Sequence, residues 1–421
     1  MRAVRMDLTP LRTSRDFRLL FAAGTVFYLG GMMTYVALPY QLYTLTGSNA
    51  AVGLVALVEL LPLVVGGLYG GALADHVDRR KLLVATGVAQ AVFTALLVAN
   101  AAQGRPAVWP LYVLAFLLAA ASSLQRPSRE ALLPRVVTVD ELLAANALSS
   151  LGMQAGLLLG PTVGGVLLAQ VGAAWCYAVD VTGLVVATLM YAAMAAYPHR
   201  DATTPPSLAG IAEGIRYAAS RKDLLGTYLV DIAAMLLAIP VVLFPAFASS
   251  IFGRPELLGL LYTAETVGAL LATATSGWAG RVHHHGRAIV VAACCYGLFI
   301  GLVGLAPTIW VAMVLLACAG AADMISGVFR STVWNQTIPE TMRGRLAGIE
   351  MLSYSLGPLG GQVRAGFVAD AWSVRGSIAS GGFACVVGVV ATASALPDFW
   401  RYDARTDEHA LAERSRRAAA G

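Results

Sequence analysis

Charged residues divide this chain into twelve apolar runs, each long enough to cross a lipid bilayer. The runs cover roughly residues 17–40, 51–73, 82–102, 109–128, 144–171, 175–197, 224–246, 257–279, 288–306, 309–333, 346–370 and 377–396. About 20 mostly apolar residues are enough for one helix to span the hydrocarbon, where the backbone must satisfy its own hydrogen bonds. Twelve such runs predict an all-α integral membrane protein. Composition agrees. Only 13% of the 421 residues are charged and 58% are hydrophobic, against about 25% and 45–50% in soluble domains. A soluble enzyme, a secreted disulfide scaffold and a disordered chain are excluded. All five cysteines, Cys176, Cys294, Cys295, Cys318 and Cys385, lie within apolar runs. They read as small buried hydrophobes.

Lys and Arg fix the expected orientation. With the N-terminus inside, 25 of the 29 basic residues fall on the cytoplasmic side. Arg105, Arg254 and Arg375 fall outside, and Arg364 lies within a span. Both termini are therefore expected in the cytosol, with the protein in the inner (plasma) membrane. The net charge of +5 follows from this topology and contact with anionic lipid, and no nucleic-acid partner is needed. No cleavable signal peptide is expected, because the basic stretch before residue 18 leads into a run too long for one.

The chain also repeats itself. Shifted by 206 residues, Pro39 falls on Pro245, Gly53 on Gly259, Glu59 on Glu265 and Gly71 on Gly277. Further on, Gly160-Pro161 with Gly164-Gly165 corresponds to Gly357-Pro358 with Gly360-Gly361. Two six-helix halves in the same topology are implied, a known transporter plan. The expected division is a cytoplasmic tail 1–16, an N-terminal half 17–197, a linker 198–223, a C-terminal half 224–396 and a cytoplasmic tail 397–421.

Two motifs carry a resemblance. The loop after the second run reads Gly71-Ala72-Leu73-Ala74-Asp75-His76-Val77-Asp78-Arg79-Arg80-Lys81. It resembles the signature loop of the major facilitator superfamily, departing from it at His76 and Asp78. The fifth run contains Gly156-Leu157-Leu158-Leu159-Gly160-Pro161-Thr162-Val163-Gly164-Gly165, which resembles that superfamily's antiporter motif, typical of exporters. Stretches such as Ala321-Ala322-Asp323-Met324, Phe329-Arg330-Ser331-Thr332 and Met342-Arg343-Gly344-Arg345 look like its enterobactin-exporter-like branch, which lies near the macrolide efflux proteins. The resemblance implies the major facilitator fold. It also implies export of a small organic molecule, first a siderophore, by proton antiport with alternating access. Multidrug or macrolide efflux is the second reading, and a lipid flippase or importer of the same fold is more distant. The expected partners are a small-molecule substrate, protons and membrane lipid, and the expected state is a monomer.

The signature loop is expected to act as a cytoplasmic gate. In it Gly71, Asp75, Arg79 and Arg80 end the second span near the N-terminus of the eleventh, marked by Arg343 and Arg345. A carboxylate beside a helix N-terminus gains about 0.3–1 kcal/mol. In the fifth span Gly156, Gly160 and Gly164 share a face, Gly165 adjoins it, and Pro161 removes one backbone donor. This helix is expected to pack tightly against a partner in the other half.

A charge at mid-bilayer costs about 2.5–3.5 kcal/mol on insertion scales, so each one needs a reason. Asp231, Asp323, Glu59, Glu265 and Arg364 are the candidates for proton coupling and cavity lining. For Asp231 and Asp323 the alternative is a structural ion pair with Arg330 or Arg364. Glu350 and Asp180 are weaker candidates. His283-His284-His285 occupies the slot of the second repeat's basic loop. It looks like a metal tract, but the first reading is a solvated, partly charged loop, with metal binding the lesser alternative, and no cofactor is expected. No phosphate-binding loop, HExxH, GxSxG or CxxC is present, so neither ATP-driven transport nor enzyme chemistry is indicated.

Overall fold

The structure, a computed structural model, describes residues 7–76, 78–197 and 216–420, except for the side chains of 67–76, 340–345, 347–352 and 417–420. The described residues form helices joined by short connections, with no strand among them. The long helices are α1 (Arg15–Thr46), α2 (Asn49–His76), α3 (Arg79–Ala101), α4 (Trp109–Val136), α5 (Leu142–Val171), α6 (Ala173–Ala192), α7 (Lys222–Ala238), α8 (Leu258–Ala274), α9 (His285–Leu305), α10 (Ile309–Thr337), α11 (Glu340–Ala371) and α12 (Val374–Ala395). A polar helix, α13 (Glu408–Ala420), closes the chain. Among the described residues, ten helices are long and apolar enough to cross a membrane, α4 and α11 not being among them. Every cysteine is free.

Local sequence explains where the helices start and stop. Ser14 caps α1 by accepting the Phe17 N–H at 3.1 Å. Asp78 caps α3 by accepting from the amides of Arg80 and Lys81. Gly47 ends α1 in the left-handed conformation, with φ of 65°. In α7 the helix stops at Ile239 because Pro240 cannot donate the next backbone bond. The chain then advances through the short turns Val241–Leu243, Phe244–Ala246 and Phe247–Ile251 before Gly253, at φ of 61°, turns it towards α8.

The chain forms two compact units. The first comprises Met1–Gly47, Val58–Pro205 and Pro255–Thr263; the second comprises Ser48–Leu57, Pro206–Arg254 and Ala264–Gly421. In the first unit α1 lies against α5 and α6, and α3 packs on α4 and α6. Phe17, Leu20, Leu83, Leu132, Leu148 and Tyr191 form its core at one end. In the second unit α9 packs on α10 and α12, and α7 packs on α11 and α12.

Each unit takes in the first turns of a helix whose remainder belongs to the other, and glycine makes both seats possible. In the first unit, a Cβ on Gly259 would lie 2.2 Å from the Pro161 carbonyl oxygen of α5. In the second, a Cβ on Gly53 would lie 2.9 Å from the Gln362 carbonyl oxygen of α11. Asp370, at the end of α11, finishes the second seat. It accepts the amides of Asn49 at 2.8 Å and Ala50 at 3.0 Å and the Ser48 hydroxyl at 2.5 Å, so it caps α2.

Candidate functional site

In the second unit, two of the expected intramembrane acids meet around one arginine. Asp231 on α7 is buried and pairs with Arg330 Nη1 of α10. It also accepts the Ser353 hydroxyl of α11 at 2.7 Å. Arg330 Nη2 lies 3.8 Å from Asp323, one to two turns earlier on α10, whose side chain is 42% exposed. Arg330 itself is 5% exposed, and its Nε is buried with no hydrogen-bond partner among the described residues. One turn further along α10 and one turn back along α7, Trp334 Nε1 donates to Thr227 Oγ1 at 2.8 Å, and Trp334 stacks on Tyr228 with ring centroids 5.2 Å apart. Three helices are thus joined by one arginine, two carboxylates and a hydroxyl. Protonating either acid removes one of the two attractions holding the guanidinium, so the cluster can exist in more than one charge state.

The other acids are placed differently. Glu265 is half-buried on α8, its Oε1 enclosed without a hydrogen-bond partner among the described residues. α8 crosses α10 so closely there that a Cβ on Gly320 would lie 2.0 Å from the Glu265 carbonyl oxygen. Glu59 is half-buried on α2, in the first unit. Asp180 is buried and ties α6 to α1 by accepting the Thr34 hydroxyl at 2.5 Å, in space that Gly30 leaves open. Arg364 donates from Nε to the Leu236 carbonyl oxygen at 3.2 Å. That oxygen would normally accept from residue 240, which is proline, so Arg364 fills the place of the missing donor.

The glycines of the fifth helix face mainly α1. A Cβ on Gly156 would lie 2.6 Å from Tyr28 Cβ, one on Gly160 2.4 Å from Met32 Cβ, and one on Gly164 3.0 Å from Met33 Cα. The partner of this stripe is therefore the first helix of its own half. Pro161, Thr162 and Gly165 bear on the second half of the sequence, at Gly259. In the gate segment, Arg79 donates to the Ala131 carbonyl at 2.8 Å, and Arg80 donates to that of Ala192. The side chains of Gly71, Asp75, Arg343, Arg345 and Glu350 lie outside the described residues.

The first unit holds a cavity of about 400 Å³ that the sequence reading did not anticipate. α1 contributes Phe21, Thr25 and Tyr28; α4 contributes Arg126, Arg129 and Glu130; α5 contributes Asn146, Ser149, Ser150 and Met153. The Arg129 guanidinium lies 4.5 Å from the Tyr28 ring centroid and donates to its hydroxyl. Arg126 pairs with Glu130 at 3.0 Å. Charge ends the fourth apolar run of the sequence at about residue 128. The helix instead continues to Val136. The available signal was the spacing of 126, 129, 130 and 133, which puts four residues on one helical face. With two guanidinium groups, one carboxylate, an aromatic face and several hydroxyls, the cavity suits a solute carrying aromatic rings and negative charge.

A family model described as transmembrane secretion effector matches residues 6–415. The chain belongs to that family. It is thereby a transporter of the major facilitator superfamily and a multi-span helical membrane protein. It is 28% identical over 387 residues to the enterobactin exporter EntS of Escherichia coli O157:H7, covering 91% of this chain and 93% of that one. To the EntS of Citrobacter koseri it is 29% identical over 345 residues, covering 82% and 83%. Among solved structures, its fold is similar to a bacterial homolog of the human lysosomal transporter Spinster, with TM-score 0.70, 15% identity and coverage of 95% and 96%. It is also similar to the nucleoside transporter NupG, with TM-score 0.72, 13% identity and coverage of 92% and 100%.

Proposed function

We propose that this chain is a twelve-helix exporter of a siderophore-class molecule, driven by proton antiport through alternating access. Near full-length similarity to enterobactin exporters carries the reading. The first-unit cavity agrees with it chemically. Iron(III)-chelating molecules present oxygen donors that bear negative charge, and Arg129 and Arg126 offer planar guanidinium partners for them. The aromatic side of such a solute can lie against Tyr28 and Phe21. In this scheme both termini are cytoplasmic, the halves are 17–197 and 224–396, and the monomer in the plasma membrane is the working unit.

The Asp231–Arg330–Asp323 cluster is the proposed coupling element. A proton arriving from outside neutralises one acid and frees part of the Arg330 charge. The changed attraction between α7 and α10 biases the transport cycle. Proton release to the cytosol restores the pair. Glu59 and Glu265 are further candidates on the proton path, and Asp75 with Arg343 and Arg345 remains the proposed cytoplasmic latch.

Inside-out vesicles with an acidic lumen test this reading, with radiolabelled enterobactin as the probe. Uptake into the lumen should collapse when the pH gradient is dissipated. It should also be lost in Asp231→Asn and Asp323→Asn proteins that insert at normal levels. Uptake indifferent to the gradient would remove the antiport assignment. Absence of enterobactin uptake, with gradient-dependent uptake of a macrolide, would move the substrate to the drug class.

A further inference from the structure

We propose that His283, His284 and Asp403 form a binding site for a divalent transition-metal ion of the zinc class, joining the C-terminal segment to the loop before α9. All three residues belong to the second unit. His283 Nε2 lies 3.9 Å from Asp403 Oδ2, and His284 Nδ1 lies 3.2 Å from the same oxygen. The three ligand atoms lie within 4.8 Å of one another. Ligands on a tetrahedral zinc ion, at about 2.0–2.2 Å from the metal, are about 3.3–3.5 Å apart, so small side-chain rotations would close the set. Two imidazoles select a transition metal over calcium or magnesium, which favour all-oxygen cages. Three protein ligands leave a fourth position for water.

The backbone holds this arrangement in place independently of any ion. The Ala404 amide donates to the His283 carbonyl oxygen at 2.9 Å, which fixes the residue after the aspartate to the first histidine. The Arg405 amide donates to Asp403 Oδ1 at 2.9 Å, which orients the carboxylate and leaves Oδ2 to the histidines. His283 and His284 are adjacent in sequence, with ring centroids 4.2 Å apart, and all three side chains are partly open to solvent, which leaves a path for an ion. The consequence is structural. Asp403 precedes α13, which packs on α10, so an ion here would clamp the C-terminal segment to the inner end of the second half. The sequence shows two ligands side by side, but the third comes from far down the chain and only the fold supplies it.

The test uses full-length protein, purified in detergent without a polyhistidine tag and titrated with Zn²⁺ against a chromogenic chelator. One equivalent should bind saturably, with a Kd in the micromolar range or tighter. His284→Gln and Asp403→Asn, each checked for a monodisperse elution profile, should weaken binding at least tenfold, while the exposed His409→Gln should leave it unchanged. Zn²⁺ should also slow proteolytic trimming of the segment after residue 396 in the parent but not in Asp403→Asn. A parent protein with no saturable site would overturn the proposal, as would variants that bind Zn²⁺ as tightly as the parent. In either case the three side chains would be only an ion pair.

Discussion

Arg330 illustrates what burial does to a charge in this protein. It sits 5% exposed between Asp231, itself 2% exposed, and Asp323, which is 42% exposed. Removing one partner of a buried pair costs about 3–5 kcal/mol, because the remaining charge is stranded, and Asp231 is the closer and more enclosed of the two acids. Asp231→Asn should therefore lower the thermal unfolding midpoint markedly, and Asp323→Asn only slightly. The double variant Asp231→Asn/Arg330→Gln should recover much of the loss, since the guanidinium is no longer stranded and only the more open Asp323 loses its partner. Thermal melts of the four proteins in one detergent would measure this. Equal losses for the two single variants would mean that the acids share Arg330 evenly. The individual acids were legible in the sequence because a charge in an apolar run stands out. Their partner was narrowed to Arg330 or Arg364, and only the fold chose Arg330.

At the level of the element, the break in α7 depends on a residue from another helix. Pro240 leaves the Leu236 carbonyl without its helical donor, and Arg364 Nε supplies one at 3.2 Å. Arg364→Ala should cost about 0.5–1.5 kcal/mol, the net worth of one hydrogen bond. Pro240→Ala restores a backbone N–H, so in that background the cost of Arg364→Ala should shrink. Additive effects of the two changes in thermal melts would show that the Arg364 bond is incidental. The glycine stripe of α5 teaches a related lesson. Its face was predictable from a four-residue spacing, but its partner was not. Gly156, Gly160 and Gly164 meet α1 at Tyr28, Met32 and Met33, and helical periodicity says which side is smooth without saying what lies against it.

For the whole molecule, the uneven distribution of Lys and Arg predicts both termini on the cytoplasmic side. Single cysteines at Arg105 and Arg375, in a background with the five native cysteines replaced, should react with a membrane-impermeant maleimide in intact cells. Cysteines at the exposed Lys222 and Arg405 should react only after permeabilisation. The opposite pattern would invert the topology and with it the direction of transport. Each expected apolar run falls on a helix, because transfer of about 20 residues into lipid is a local and nearly additive quantity. The 206-residue repeat was equally legible, and the structure gives two of its landmarks a purpose: Gly259 seats the start of α8 on α5, and Gly53 seats the start of α2 on α11. By itself, then, the sequence determined the helices, their apolar and small-residue faces, the repeat and the membrane environment, all of which depend on neighbouring residues and their solvent. Tertiary structure alone decided that Asp231 meets Arg330, that Arg129 lies over Tyr28 in a cavity, and that Asp403 comes to two histidines. Each of these pairings sets a desolvation cost against a specific contact between residues distant along the chain, and no local pattern encodes the distance between them.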